Sequence, residues 1–486
     1  MNAQHWIYGT WSGEPSADSI NPADGTLIGK FPDGGTTEAD GAIAAARHVF
    51  ERTTWGHDAR LRQNVLLAWA AALEGEREAL ARLLTAENGK PIAQARGEIG
   101  AAISEVRYYA GLARHIPGHV LEPEPGTIST ILREPAGVAA IIVPWNAPAV
   151  LLVRSLAPAL AAGCTAVVKA AAQTTLLTAA MLRLFERTGL PAGAVNLVCE
   201  TGYAASDRLV RSHDVDVVSF TGSTATGKKI MIAAADSVKK LSLELGGKSC
   251  CLVFDDVDTE AVAKRLALAA TIISGQQCTA ARRILVHEAI APQMRRHLTA
   301  ALAALRLGPG IEPDTQIGPL IDHPTRAAIS ALVERACDEA DSVLLRGAMP
   351  TGALARGAFL SPTLVEHSDP GAFFCQEEIF GPFATLETFA TEEEALAKAN
   401  NTVFGLSASV WTQQGERAMR LARALRNGTV WVNDHNRLFA EAETGGYRQS
   451  GLGRLHGYDA LADFTELKHI CIHAGMPQGS SRVCAA

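Results

Sequence analysis

From Val138 onward short apolar runs alternate with helical stretches, and this rhythm constrains the fold more than any other feature of the chain. Val138–Val143 precedes helical Ala149–Ala162, which stops at Gly163, and Thr165–Lys169 precedes Thr174–Thr188, which ends at Gly189-Leu190-Pro191. Val195–Val198, Ala204–Ser212, Val215–Thr221 and, past a glycine loop, Lys240–Leu245 complete a first block. Short buried strands joined by helices form a parallel sheet with right-handed crossovers. Such a sheet binds ligands at the carboxyl ends of its strands. Asn146, Lys169, the loop after Thr221 and Glu244 all fall at those ends. A second alternating block follows Gly246, with Ser249–Phe254, helical Thr259–Ile273, a turn at Cys278, Arg283–Val286 and helical Glu288–Ala304, and runs on to Trp431-Val432-Asn433.

The flanks are of other kinds. Residues 1–35 read as short strands around the turn Asn21-Pro22-Ala23-Asp24-Gly25. Glu38–Arg52 and Arg60–Ala86 carry helical spacing, the latter ended by Gly89-Lys90-Pro91, and Glu98–Leu112 is a further helix. Pro117–Pro125 is rich in Pro and Gly, Thr127–Arg133 alternates like an exposed strand, Phe464–Ile472 reads as a last strand, and Pro477–Arg482 is a short polar tail.

A chain of 486 residues is long enough for two or three domains. Its net charge of -7 and dispersed basic residues give no reason to expect nucleic-acid binding. Nine cysteines without C-x-x-C spacing form neither a disulfide framework nor a zinc site, so a cytoplasmic setting is expected and no metal. Met1–Trp11 lacks the basic and apolar regions of a secretory signal. Pro144, Asn146, Pro148, Arg154 and Pro158 interrupt the apolar region Ala136–Ala172, so it reads as two buried strands flanking a helix and no membrane span.

Four stretches carry candidate chemistry. In Ser274-Gly275-Gln276-Gln277-Cys278-Thr279-Ala280-Ala281-Arg282-Arg283 a lone cysteine sits in a polar turn, a setting that suits a thiolate nucleophile. Leu243-Glu244-Leu245-Gly246-Gly247-Lys248 ends a strand on a carboxylate, and Val143-Pro144-Trp145-Asn146 ends one on a side-chain amide. Glu377-Glu378-Ile379-Phe380-Gly381-Pro382 joins an acidic pair to an aromatic in a turn. Gly222 to Lys229 nearly fits a phosphate-binding P-loop, but Lys229 stands where Ser or Thr must ligate magnesium. The logic of a helix N-terminus facing a phosphate survives that loss. Gly451 and Gly453 match only part of a dinucleotide fingerprint.

In their order and spacing, from about Tyr8 to Lys468, these four motifs resemble the NAD(P)-dependent aldehyde dehydrogenase superfamily. The resemblance implies an α/β fold with a Rossmann-type cofactor domain (residues 1–115 and 136–246), a catalytic domain (247–449) and oligomerisation or bridging segments (116–135 and 450–486). It implies oxidation of an aldehyde to its acid, with Cys278 as nucleophile, Asn146 and the Cys278 N–H as oxyanion donors, and Glu244 as the base that activates water. NAD, with NADP possible, is to be held by Trp145, Lys169, Gly222, Ser223, Glu378 and Phe380, although Phe380 reads equally as a core aromatic. The partner is a small aldehyde, and the assembly a homodimer or homotetramer. The substrate channel is to be lined by Ala147, Leu151, Arg154, Gln277, Thr279, Leu438 and Thr444, with a surface or interface position the plainer reading of Arg154. Two residues depart from the family pattern. Ala172 replaces a glutamate that binds the adenosine ribose, and Leu455 replaces a second candidate base, leaving Glu244 to act alone.

Two other classes compete. A cysteine hydrolase needs a histidine base, and none of the 14 histidines lies in a motif near Cys278 or Glu244. A non-catalytic structural protein of this fold has no need of Cys278, Glu244 and Asn146 together.

Overall fold

The computed structural model describes residues 2–475, so the polar tail at 477–482 lies outside the described residues. Two sheets stand at its centre. In the first, Lys240–Glu244, Val217–Thr221, Val138–Ile142, Thr165–Lys169 and Val195–Val198 run parallel and side by side. All but the first of these strands are buried almost end to end, which is why they read as unbroken apolar runs. The sheet is longer than the sequence suggested. His5–Ile7 and Thr10–Ser12 extend one edge antiparallel, and Gly451–Leu452 closes the other, pairing Gly451 with Glu244. Gly451 therefore belongs to a sheet edge rather than to a phosphate loop, and a Cβ there would strike the Leu243 carbonyl.

The second sheet orders Ser342–Leu345, Thr363–Glu366, Phe383–Phe389, Arg283–His287, Cys250–Val253, Ser407–Trp411 and Thr429–Val432, parallel except for the first pair. A third sheet has three strands: Thr465–His473 pairs with Thr127–Pro135 along its whole length, and His119–Glu124 forms the outer edge. The segment after 450 is thus divided, giving one strand to the first sheet and another to this arm.

Helices cover both faces of the first sheet. The stretch expected as one helix over Arg60–Ala86 is two, Ala59–Gly75 and Arg77–Asn88, broken at Glu76, whose backbone leaves the helical region at φ -103° and ψ 10°. Ile92–Leu112 begins earlier than expected, directly after Pro91. Pro148–Ala162 is buried around nearly its whole circumference, with Pro148 preset for its first turn and left-handed Gly163 ending it. No described helix is long and apolar enough to cross a membrane.

Candidate active site

The site lies between the carboxyl ends of the first sheet's strands and the amino ends of the second's, around a cavity of about 550 Å³ lined by Cys278, Glu244, Asn146, Arg154, Gln277 and Thr279 among others. Chain direction alone brings these side chains together. Asn146 and Glu244 follow or end parallel strands of the first sheet, and the Cys278 turn opens toward them from the second.

The turn before Cys278 is strained. Ile273, Ser274 and Gly275 are consecutive left-handed residues, with φ of 49°, 55° and 73°. A β-branched residue rarely adopts this region, and it persists only where surroundings overdetermine it. They do so here. Gln94 Oε1 accepts from the Ile273 N–H at 3.0 Å, Ser274 Oγ donates to the Gly318 carbonyl at 2.8 Å, and Arg282 donates to the Gly275 and Gly381 carbonyls. A Cβ on Gly275 would collide with the Gly381 carbonyl, so glycine is required. Of the eight described cysteines, all unpaired, six are buried, Cys471 is exposed on the arm, and only half-buried Cys278 reaches the cavity. Burial pushes its thiol up to about 12, opposed first by the nearby Arg154 charge.

Asn146 is held from several sides. Its Nδ2 donates to the Gln276 carbonyl at 3.0 Å, which leaves its second hydrogen free. Lys90 Nζ and Asn88 Nδ2 donate to the Asn146 backbone carbonyl at 2.8 and 3.3 Å. Lys90 also pairs with Glu98, whose Oε1 caps the helix after Asn146 by accepting from the Ala149 N–H at 2.9 Å. Glu244 is 9% exposed, and its Oε1 has no hydrogen-bond partner among the described residues. Burial raises its carboxyl to about 7, eased by Arg154 and Arg454. That range suits a general base at neutral pH.

The expected nucleotide residues lie along the same sheet ends. Ser223 caps the helix Thr224–Ala234, accepting from the Thr226 N–H, and the Gly222 N–H bonds the Glu244 carbonyl. Lys228, the lysine of the near P-loop, donates to Gln449 instead. Lys169 Nζ lies 3.8 Å from Glu200, so it is a paired cation rather than a free one. Burial raises the Glu378 carboxyl, and its Oε1 accepts from the Gly247 N–H at 3.2 Å. A Cβ on Gly246 would come within 2.7 Å of Glu378 Oε2, so the paired glycines leave this carboxylate open to a ligand. Phe380 packs edge-on against Trp145 with centroids 5.7 Å apart. It is half-buried, packs against the core cluster of Phe374, Ile379 and Phe383, and has the Arg282 guanidinium 5.9 Å from its ring. These residues fit a dinucleotide: an anion-binding helix N-terminus beside a carboxylate suited to ribose hydroxyls.

One sequence expectation is corrected and two are extended. Arg154 is no surface residue; it is 8% exposed, lines the cavity and donates to His456 Nε2 at 3.0 Å. Glu244 is not the only carboxylate on the cavity, since Glu98, Glu105 and Glu441 line it too, although Glu98 is spent on Lys90 and Glu105 on His456. Histidines do come near. His435 Nε2 donates to the Thr279 carbonyl at 2.8 Å, but no described imidazole hydrogen-bonds the Cys278 thiol, and the hydrolase reading lacks its base. Leu455 is buried at 1% exposure outside the cavity lining, while Ala147, Leu151, Leu438 and Thr444 line it as expected.

The sequence reading missed the face of Ile92–Leu112 that carries Gln94, Glu98, Ala101 and Glu105. Its signal was present: polar and small residues recur at helical spacing where a buried helix should be apolar. Asn436 was also missed; it accepts from Thr279 Oγ1 at 2.7 Å and steadies the residue after Cys278. Among the described residues no group of three or more His, Cys, Asp or Glu could hold a metal ion.

Fold and site together define an oxidoreductase that sets a cysteine nucleophile against a dinucleotide cleft. Residues 10–470 match the Aldehyde dehydrogenase family, and the chain belongs to it. The chain is 39% identical to the betaine aldehyde dehydrogenase of Bacillus subtilis over 476 residues, 97% of each protein. It is 36% identical to the mitochondrial succinate-semialdehyde dehydrogenase of Arabidopsis thaliana over 477 residues, 97% of this chain and 89% of that protein. Among solved structures, betaine aldehyde dehydrogenase from Staphylococcus aureus in complex with NAD+ superposes with a TM-score of 0.94 at 36% identity, covering 98% of this chain and 96% of that one. The protein is an aldehyde dehydrogenase that oxidises its substrate through a cysteine.

Proposed function

We propose that this protein is an NAD-dependent dehydrogenase for small aldehydes that carry an anionic end. The observation that carries the reading is the convergence of Cys278, Asn146, Glu244 and Arg154 on one cavity.

Cys278 loses its proton to solvent, a step the Arg154 charge favours against burial, and as thiolate attacks the aldehyde carbon. The oxyanion of the resulting thiohemiacetal takes hydrogen bonds from the free hydrogen of Asn146 Nδ2 and from the Cys278 backbone N–H. Losing one such donor costs about 2.7–4 kcal/mol of barrier. NAD+, when bound, supplies the hydride acceptor that converts this adduct to a thioester. Trp145, Lys169, Gly222, Ser223, Glu378 and Phe380 would hold it. Glu244 takes a proton from the water that cleaves the thioester; its free Oε1 and a carboxyl raised to about 7 suit that step. Cys278→Ala abolishes aldehyde oxidation while cofactor binding by fluorescence titration persists; near-normal turnover would sink the scheme.

Arg154 supports the substrate class. A guanidinium pairs bidentately with a carboxylate and repels a quaternary ammonium. Phe439 is the only aromatic lining the cavity among the described residues, too few for the cage that binds such cations. Succinate semialdehyde, butanal and betaine aldehyde, followed by reduced-nicotinamide absorbance with each cofactor, test this. Arg154→Leu lowers kcat/KM for the first far more than for butanal. Equal losses would return Arg154 to a structural role.

The same reading assigns 1–115 with 136–246 to cofactor binding, 247–449 to catalysis and the arm to a homodimer or homotetramer. The eight unpaired cysteines among the described residues support a cytoplasmic enzyme.

A further inference from the structure

Behind Arg154 lies a chain of buried polar groups that the mechanism does not use. His456 Nδ1 and Glu105 Oε2 are 2.7 Å apart, and His456 Nε2 is 3.0 Å from Arg154 Nη1. Glu105, His456 and Arg154 are 1%, 3% and 8% exposed, and all three line the cavity. They come from the helix Ile92–Leu112, the loop after Gly453 and the helix Pro148–Ala162.

The neighbours fix the protons. A guanidinium only donates, so His456 Nε2 must accept. The single ring hydrogen then sits on Nδ1 and is donated to a carboxyl oxygen of Glu105, a group that burial raises to about 8. The imidazole is accordingly neutral, and burial together with the Arg154 charge keeps it well below the ordinary histidine range. Its backbone is committed as well. His456 is left-handed at φ 60°, and the Gly457 carbonyl accepts from the Tyr109 hydroxyl at 3.0 Å.

The interposed ring has a consequence for the guanidinium. A carboxylate in direct contact would occupy two of its N–H groups in a closed ion pair. Here the neutral ring stands between Glu105 and the guanidinium, and Nη1 alone makes a hydrogen bond among the described residues. Nε is buried without a partner. The Nε–Nη2 edge, which matches a carboxylate bidentately, is unspent. An unpaired buried donor is costly unless a ligand completes it.

We propose that Glu105 and His456 are positioning residues that set substrate-charge selectivity by fixing Arg154 with its bidentate edge free for an anionic group of the aldehyde. The inference rests on the anionic-substrate reading above. The test compares kcat/KM for succinate semialdehyde with that for butanal. His456→Leu, which removes the acceptor, lowers this ratio by about tenfold, the effect of roughly one charge-assisted hydrogen bond, and the loss appears in KM for the anionic substrate. His456→Gln, whose amide oxygen can accept from Nη1, keeps the ratio within about threefold of the parent. A merely structural histidine would cost both substrates alike, without rescue by glutamine. Should His456→Leu fail to fold in a thermal melt, Glu105→Leu and Glu105→Gln repeat the comparison, because glutamine still accepts from Nδ1–H. If Arg154→Leu collapses the ratio while the leucine variants of Glu105 and His456 keep it, the positioning role is overturned and the substrate reading stands. If Arg154→Leu leaves the ratio unchanged, the substrate reading falls and these residues have nothing to position.

Discussion

At Glu244 two requirements meet: the carboxyl must be ionised to take a proton from water, and its burial resists that charge. With the carboxyl raised to about 7, deacylation rises about tenfold per pH unit below that value and levels off above it. Glu244→Gln removes this limb. It still gives a first-turnover burst of reduced cofactor and then stalls with acyl group on Cys278, a step slowed by about 10²–10⁴-fold. Rapid-quench mass spectrometry reads both outcomes, and absence of burst and adduct would remove Glu244 from this role. Position 172 gives a second residue-level prediction. Ala172 cannot accept from ribose hydroxyls, and Lys169, already paired with Glu200, offers a 2′-phosphate less charge than a free lysine would. NAD therefore works, NADP is tolerated, and Ala172→Glu shifts the kcat/KM ratio toward NAD by about tenfold to a hundredfold. An unchanged ratio would mean that residue 172 does not face the ribose.

At the scale of elements, legibility followed the kind of signal. The buried strands Thr165–Lys169 and Val195–Val198 agree with the sequence reading residue for residue, because parallel strands covered on both faces leave little to interpret. The break at Gly75-Glu76 was hidden, since helix formers surround it on both sides and it consists of one residue, Glu76, out of helical geometry. That Cys278, Asn146 and Glu244 share one cavity was readable from local motifs. Glu105, His456 and Asn436 were not, because their partners lie far along the chain: Glu105 and His456 are 351 residues apart. Another long-range pair, Arg283 and Glu387, crosses the centre of the second sheet with bonds of 2.7 and 2.6 Å and almost no exposure. Glu387→Ala leaves a buried guanidinium without its countercharge. Stability should fall by about 3–5 kcal/mol in urea unfolding, and a loss below about 1 kcal/mol, the worth of an exposed pair, would show that solvent already screens it.

At the scale of the molecule, the two large sheets bury their faces under helices, whereas the arm does not. His119–Glu124 is exposed at every residue and presents an unpaired strand edge. Val120, Leu121, Leu467 and Ile472 are 70%, 56%, 61% and 51% exposed on the same three strands. Apolar side chains gathered beside an open strand edge support the association proposed for this arm, since a free edge of this kind is a liability in a monomer. Each leucine fully buried by a partner contributes about 1.5–3 kcal/mol. Replacing both Leu121 and Leu467 with Glu removes that gain and sets charge in its place, weakening assembly by at least about a hundredfold. Light scattering coupled to size exclusion should then find the parent at two or four times the protomer mass and the double variant at smaller species at micromolar concentration. Both sheets of the protomer remain intact in this variant, so its circular dichroism should match the parent. An unchanged assembly mass would mean that these strands face solvent in the oligomer and that association uses another surface.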